Sequence, residues 1–418
     1  MNVSVASALV LQVWAALSLD AAGAATTRLT WVPGSTVRVT QIVGDCDYQL
    51  QAKSGQCNLT NSRTGTRSKV LGTDLGASFE SQGNLIFLFG DSIGPSEDYL
   101  AQDTMASSTS TDPASLFVDF YTKTDGTPYF IKIPGVRLGA AEVPHAGIRL
   151  ASGTYVAFNT GTDQALPDPN VNMYSVLTRF DEVNRRFTLL RTISSRPSGR
   201  FVTTALQAFG SDVLMWGLGA YRASDVYLAT VPASTFATGQ GTRYFTGLVN
   251  GQPAWSTSES AAVPVVVDGT AHKIGNVSVT FASDPGLWVM TYDTASTSQT
   301  TAGIYFTSAE DPWGPWSAPQ LIFNAKRDGA MGTFMHDPSI VPDPPGDGLN
   351  GPTIGQNDPY KTRGSPYAPY IIERFTRREG GRLSIYYALS TWNPYTTVEM
   401  RSDFTITHPG PKRRSARH

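Results

Sequence analysis

A loose repeat dominates the sequence: a strand-like run, a Gly-containing turn, then a second, more apolar run that ends in polar residues. It occurs at Asp74 (TDLGASFESQGNLIFLFGD), near His145 (HAGIRLASGTYVAFNTG), near Thr203 (TTALQAFGSDVLMWGLG) and at Asn276 (NVSVTFASDPGLWVMTYD). A fifth copy starts at Asp337 (DPSIVPDPP), is interrupted by a polar insertion, and resumes at YAPYIIERF. From Asp74 to Asp337 the repeat advances in four steps of about 66 residues, room enough for four-stranded blades with long loops. Five such units predict an all-β chain folded as a five-bladed β-propeller. Runs such as SVLTRF, FTLLRTI, GIYFTSA and WSAPQLIF supply the remaining strands, and STVRVTQIV is an alternating strand placed to close the ring on the last blade. No amphipathic stretch at helical period is long enough for a crossover helix, which argues against a doubly wound α/β fold. The 39 Gly and 27 Pro, with only 16% charged residues, fit a turn-rich β protein.

The two ends read differently from the middle. Residues 1–24, MNVSVASALVLQVWAALSLDAAGA, hold an apolar run from Ala8 to Leu19 followed by small residues at Ala22 and Ala24. That run is shorter than the roughly 20 residues of a membrane span, so the segment reads as a signal peptide and the protein as secreted and extracellular, with no membrane partner. In an oxidising compartment Cys46 and Cys57 form a local disulfide. Asn58 and Asn276 each head a glycosylation sequon, usable in a eukaryotic host. Residues 25–405 are expected to be the propeller domain and 406–418, ending in PKRRSARH, a disordered basic tail. The net charge is −2 and the basic residues are scattered until that tail, so nucleic acid is not an expected partner. A neutral polymer such as a polysaccharide, or a small polar ligand, is the easier partner, and the chain is expected to act as a monomer.

The stretch LIFLFGDSIG poses the chemical question, because GDSIG matches the turn that carries an esterase serine. That turn needs a helix directly after Ser92, and IGPSEDYLAQD, with Gly94 and Pro95, is a loop instead. Asp91 has the stronger claim. If Ser81-Gln82-Gly83-Asn84 is a symmetric hairpin turn, Asp74 faces Asp91, and two carboxylates opposed across strands destabilise a fold unless something compensates. In a propeller the innermost strands run along the central channel, so Asp74, at the start of one, stands at the channel mouth. Close carboxyls push their pKa values apart and yield one acid and one base near neutral pH, the equipment of glycoside hydrolysis. A bulge in the hairpin would take the pair out of register, and both residues are also ordinary strand-end hydrogen-bond acceptors.

Other candidates surround this pair. Glu142 in EVPHAG is a third carboxylate, with Asp103 a weaker one. His145 and the His336-Asp337 pair each begin an inner strand by this blade count and are candidate substrate contacts. Trp392 and Tyr395, in STWNPY, follow an apolar strand at a turn, where they suit a cleft wall that stacks on sugar rings. Five scattered histidines with no paired His or Cys motif offer no transition-metal site. Structural calcium stays open, and no organic cofactor is implied.

Three runs, GTDLGASFESQGNLIFLFGDS, IYFTSAEDPWGPWSAPQLI and YAPYIIERF with LSIYYALSTWNPYTTVEMRS, together resemble the secreted family catalogued as domain of unknown function 4185 and grouped as glycoside hydrolase family 183. The resemblance spans roughly residues 70–405. It implies a five-bladed propeller with endo-D-arabinanase activity, cutting internal linkages between D-arabinofuranose units in the arabinogalactan or lipoarabinomannan of mycobacterial walls. The acidic residues of the family's two motifs fall here on Asp74 and Asp91, which the resemblance makes the catalytic pair. Two features depart from the family: the N-terminal insert with its cysteines and the polar insertion at residues 343–366. A propeller that binds carbohydrate without turnover is the alternative from another class.

Overall fold

The computed structural model describes residues 27–96, 102–163, 165–166, 168–267, 274–294, 302–340, 346–354, 358 and 360–408. The leader at 1–24 lies outside them; of the tail expected over 406–418, Ile406 and Thr407 belong instead to the last strand, where they pair with the first, and 409–418 lie outside the described residues. The chain enters through β1 (Arg28–Trp31) and β2 (Val37–Gln41), then two short helices, α1 (Tyr48–Ser54) and α2 (Thr64–Ser68). Blade one is β3 (Gly72–Ser81), β4 (Asn84–Ile93), β5 (Thr104–Ser108) and β6 (Asp119–Phe120). Blade two is β7 (Pro144–Leu150), β8 (Gly153–Thr160), β9 (Tyr174–Asp181) and β10 (Arg186–Ser195). Blade three runs from β11 (Thr203–Phe209) through β12 (Asp212–Leu218) and β13 (Val226–Pro232) to β14 (Arg243–Val249) and β15 (Gln252–Ser256), with β16 (Pro264–Val266) also on β13. Blade four is β17 (Ile274–Ala282), β18 (Leu287–Thr294), β19 (Gly303–Ala309) and β20 (Gln320–Phe323). Blade five is β21 (Tyr367–Ile371), β23 (Arg382–Ser390) and β24 (Thr397–Thr407), with the short β22 (Arg377–Glu379) on β23.

The inner strands β3, β7, β11, β17 and β21 touch in that cyclic order, and β21 returns to β3, which closes the five-bladed ring. The N-terminal strands make the outer edge of the last blade: β1 pairs with the end of β24, from Arg28 opposite Thr407, and β2 with its beginning, to Gln41 opposite Val398. The STVRVTQIV strand therefore sits where its alternation predicted.

Each blade is buried on both faces, which is why its second strand reads as a continuous apolar run. In β4, Ile86 and Leu88 pack into the gap between blades one and two, while Leu85, Phe87 and Phe89 fill the gap with blade five. That is the period-two alternation of a strand serving two cores at once. The other three gaps hold a cluster each, such as Trp216 with Trp288 between blades three and four.

The fifth repeat is placed differently from the sequence reading. Asp337 does not start an inner strand; Asp337 to Ser339 lie in turns, and the inner strand is β21, beginning at Tyr367. The apolar letters of DPSIVP imitate a strand start, but its prolines cannot donate to a ladder. Cys46 and Cys57 are disulfide-bonded. Asn58 is exposed, whereas Asn276 is only 6% exposed, with its side-chain nitrogen donating to the Tyr370 hydroxyl at 3.2 Å, so the second sequon has no room for a glycan.

Candidate active site

The hairpin turn forms as read, with Gln82 and Gly83 both at positive φ (49° and 81°), and Ser81 pairs with Asn84. This is the primed turn that the twist of a two-residue hairpin prefers. Register holds to the far end, where Thr73 pairs with Ser92, but two compensating irregularities intervene, on either side of Leu75. Leu75 pairs with Phe89, so Asp74 alone opposes both Gly90 and Asp91. A bulge of two residues against one puts both on the same face of the sheet. Instead of separating the aspartates, the bulge aims them together. Leu75 (φ 65°) and Gly76 (φ 93°) take up the compensating turn on β3, and the Leu75 amide is held by Ser390 Oγ at 2.8 Å.

The opposite face explains Ser92. Its side chain is fully buried in a knot of hydroxyls, 3.2 Å from Thr73 Oγ1 and 3.0 Å from Thr104 Oγ1. It continues a strand, has no helix among the described residues directly after it and points away from the aspartates, so it is no nucleophile but a brace behind them.

Gly90 is required by proximity: a Cβ built there would lie 2.3 Å from Asp74 Oδ1. The Asp74 carboxyl leans over that gap, and its Oδ2 accepts from the Tyr367 hydroxyl at 2.9 Å. Asp91 Oδ2 accepts from the Ala141 amide at 3.2 Å. The Oδ1 atom of each carboxyl is sealed from solvent and has no hydrogen-bond donor. Burial, then the charge of Asp91, raises Asp74 to about 7, against the pull of Tyr367. The Tyr395 phenol exerts a weaker pull on the same carboxyl without meeting the geometry of a hydrogen bond. Asp91 is raised to about 6, chiefly by burial, with the Ala141 amide opposing and Glu142 adding to the rise. Two adjacent carboxyls lifted this far can hold one proton between them near neutrality.

Both aspartates line a cleft of about 640 Å³ at the channel mouth. Its wall includes His145, Trp392 and Tyr395, together with Tyr221, Arg222 and Tyr367. Trp392 crosses Tyr367 and Tyr395 edge to face, with ring centroids 6.2 Å and 6.0 Å away. His145 is buried, its Nδ1 is 3.1 Å from the Thr204 amide nitrogen, and burial lowers it to about 4, so it is a neutral ring.

Glu142 stands behind the cleft rather than in it. It is fully buried, and its Oε1 accepts from the amides of Gly161 and Thr162, both at 2.8 Å. His336 and Asp337 are not in the wall of the cleft that holds the pair. His336 Nδ1 bonds to Asp347 at 2.7 Å and Nε2 to the Tyr360 carbonyl at 2.9 Å, while Asp337 accepts from Ser339. They tie down the 343–366 insertion, because the strand they were expected to begin starts thirty residues later, at Tyr367. The insertion does reach the cleft through Ile354 and Ser365.

Tyr367, Tyr221 and Arg222 escaped the sequence reading. Tyr367 is the first residue of an inner strand, the blade-five counterpart of the strand that carries Asp74, and correct placement of that strand would have revealed it. Tyr221 and Arg222 sit in the loop between β12 and β13, where no periodicity marks them. Arg222 lies 5.0 Å over the Tyr221 ring and 3.7 Å from Asp293. Among the described residues no group of three or more His, Cys, Asp or Glu is placed to hold a metal ion.

Residues 60–401 match the family described as domain of unknown function DUF4185. The chain belongs to this family. Within the matched residues, the GTDLG and FGDS runs of this chain lie on the two strands of the bulged hairpin, and its YAPYIIERF run carries the tyrosine that donates to Asp74. Among solved structures, a provisionally named hydrolase from Bacteroides ovatus ATCC 8483 shares the fold of this DUF4185 chain with a TM-score of 0.51 at 11% identity, over 90% of this chain and 93% of that one. An endo-1,5-alpha-L-arabinanase from Thermotoga petrophila RKU-1 aligns with a TM-score of 0.44 at 9% identity, over 82% of this chain and 76% of that one. A comparison with curated proteins gives no match.

Proposed function

We propose that the protein is a secreted glycoside hydrolase acting on furanosidic linkages, in the endo mode on the D-arabinan of arabinogalactan or lipoarabinomannan. The observation that carries the reading is the bulged hairpin, which directs two half-buried carboxyls from one sheet face into a cleft walled by aromatic rings. Glycoside hydrolysis needs such a pair: one carboxyl protonates the leaving oxygen while the other, ionised, activates water or attacks the anomeric carbon. Asp74, raised further, is the acid in this reading, and Asp91 the carboxylate. The glycosidic C–O bond breaks as its oxygen takes the Asp74 proton, and water finally supplies the hydroxyl at the anomeric carbon and a proton to the enzyme. Tyr367 and Trp392 supply ring faces and edges of the kind that sugars stack against.

The D-arabinan assignment is supported by the family motifs rather than by the cleft. The reading also includes a cleaved leader over residues 1–24, one catalytic domain over 25–405 and an extracellular monomer that needs no organic cofactor. The disulfide between Cys46 and Cys57 suits that compartment.

Purified protein is expected to release oligosaccharides from D-arabinan and not from L-arabinan. Asp91→Asn should lower that release by about 10³-fold or more. Binding of a furanose polymer with no release by wild type would favour the carbohydrate-binding alternative, and release from L-arabinan alone would reverse the sugar series.

A further inference from the structure

A third carboxyl shares the face of the pair. Phe89 of β4 pairs with Thr104 of β5, so Asp103, one step out, stands beside Gly90 on the side away from Asp74. Cross-strand neighbours share a face, and Gly90 has no side chain to part them. Asp103 is 2% exposed, and neither of its carboxyl oxygens has a hydrogen-bond donor among the described residues. An ionised carboxylate so placed would be a buried, uncompensated charge, which folded proteins avoid by keeping the proton. Three acceptors of the neighbouring carboxyls also lack donors: Oδ1 of Asp91, Oδ1 of Asp74 and Oε2 of Glu142. A protonated Asp103 supplies a donor for one of these unpartnered oxygens.

We propose that Asp103 is a positioning residue that remains protonated and donates its hydrogen to the unpartnered oxygen of Asp91, holding Asp91 as the carboxylate and leaving Asp74 as the proton carrier. The inference rests on the hydrolase reading of the same cleft. The titratable groups facing Asp103 are Asp91 from β4, Asp74 from β3 and Glu142 from the connection before β7, all acidic, and burial is the largest cause of the upward shift of Asp103. Glu142 has two backbone donors on Oε1 and none on Oε2. Asp91 has one amide on Oδ2 and nothing on Oδ1, its strand pairs with the one that leads out from Asp103, and of the three acidic neighbours its charge acts most strongly on Asp103, which marks it as the acceptor.

The test compares wild type with Asp103→Asn and Asp103→Ala on D-arabinan across pH. Asparagine keeps a neutral donor in the same place, so kcat should stay within about 3-fold of wild type and the acid limb of kcat/KM should not move. Alanine removes the donor, so Asp91 should protonate more easily: the acid limb should rise by about one pH unit and kcat should fall about tenfold at neutral pH. Loss of activity in Asp103→Asn comparable with that of Asp91→Asn would show Asp103 acting as an ion, and two variants with wild-type profiles would show it to be filler. Either result overturns the proposal. An infrared difference spectrum between wild type and Asp103→Asn at neutral pH decides even if the alanine variant fails to fold. A protonated-carboxyl stretch lost with Asp103 is expected, and its absence overturns the proposal. A wild type that cleaves no furanose polymer sinks the hydrolase reading while leaving the infrared result to judge Asp103 alone.

Discussion

Asp74 is a residue whose chemistry opposes its stability. Its carboxyl ordinarily loses its proton near 3.8 and here keeps it to about 7. Between those values the folded protein binds more protons at this position than the unfolded chain, so the contribution to stability is full below about 3.8 and is lost as pH rises through about 7. Asp74→Asn removes the titration while keeping a polar group over Gly90. The variant is therefore expected to melt roughly 5 °C or more above wild type at pH 8, with the gap closing as pH falls to 4. Calorimetric melts across that range check it, and a gap that does not change with pH would mean that Asp74 is not held protonated. The same residue was visible in the sequence because like charges opposed across a hairpin need a reason. Asp103 carried no such signal: its burial comes from packing against the Ile131 segment, whose amide bonds to the Asp103 carbonyl at 2.9 Å, a contact that strand alternation cannot announce.

At the scale of the element, the bulge in β3 and β4 decides whether two aspartates become a pair. The turn, the strands and their faces were legible, since Gln82-Gly83 fixes the hairpin and the LIFLF run needs burial on both sides. The bulge was not, because a residue count cannot tell which strand absorbs an extra position, and only Gly90 and Gly76 hint at it. Blade five failed for a related reason: the insertion before Tyr367 offered a false strand start that carried His336 and Asp337 with it. Gly90→Ala tests the bulge directly. The added methyl would meet Asp74 Oδ1 at 2.3 Å, with Leu75 and Val143 carbon atoms at 3.0 and 3.1 Å blocking the other exits. Asp74 must swing off the Tyr367 hydroxyl, so kcat should fall about 100-fold or more while KM changes little, the pattern of a misplaced acid. Steady-state kinetics on arabinan and a crystal structure of the variant would decide, and wild-type kcat would mean that the carboxyl does not depend on the space above Gly90.

The whole molecule joins this hairpin to residues at the other end of the chain. Asp74 and Asp91 belong to blade one, whereas Tyr367, Trp392 and Tyr395 reach them from blade five, and blade five is completed only by the N-terminal strands on the edge of β24. No covalent bond holds that closure. It rests on backbone pairing and on side chains such as Leu29, 3% exposed, in the apolar cluster between blades four and five, and Val39, which packs against the cluster between blades five and one. A closed ring of sheets has no free inner edge, so loosening one junction lets neighbouring blades separate where they meet. The separation falls between β21 and β3, the strands that bring Tyr367 to Asp74. Deleting Arg28–Gln41 should therefore lower the melting temperature by roughly 10 °C or more. It should also abolish arabinan cleavage at temperatures where far-ultraviolet circular dichroism still reports intact sheet, because the site depends on the junction and most of the sheet does not. If instead activity and sheet signal are lost together along one melting curve, the closure stabilises all blades equally and the cleft has no special dependence on it.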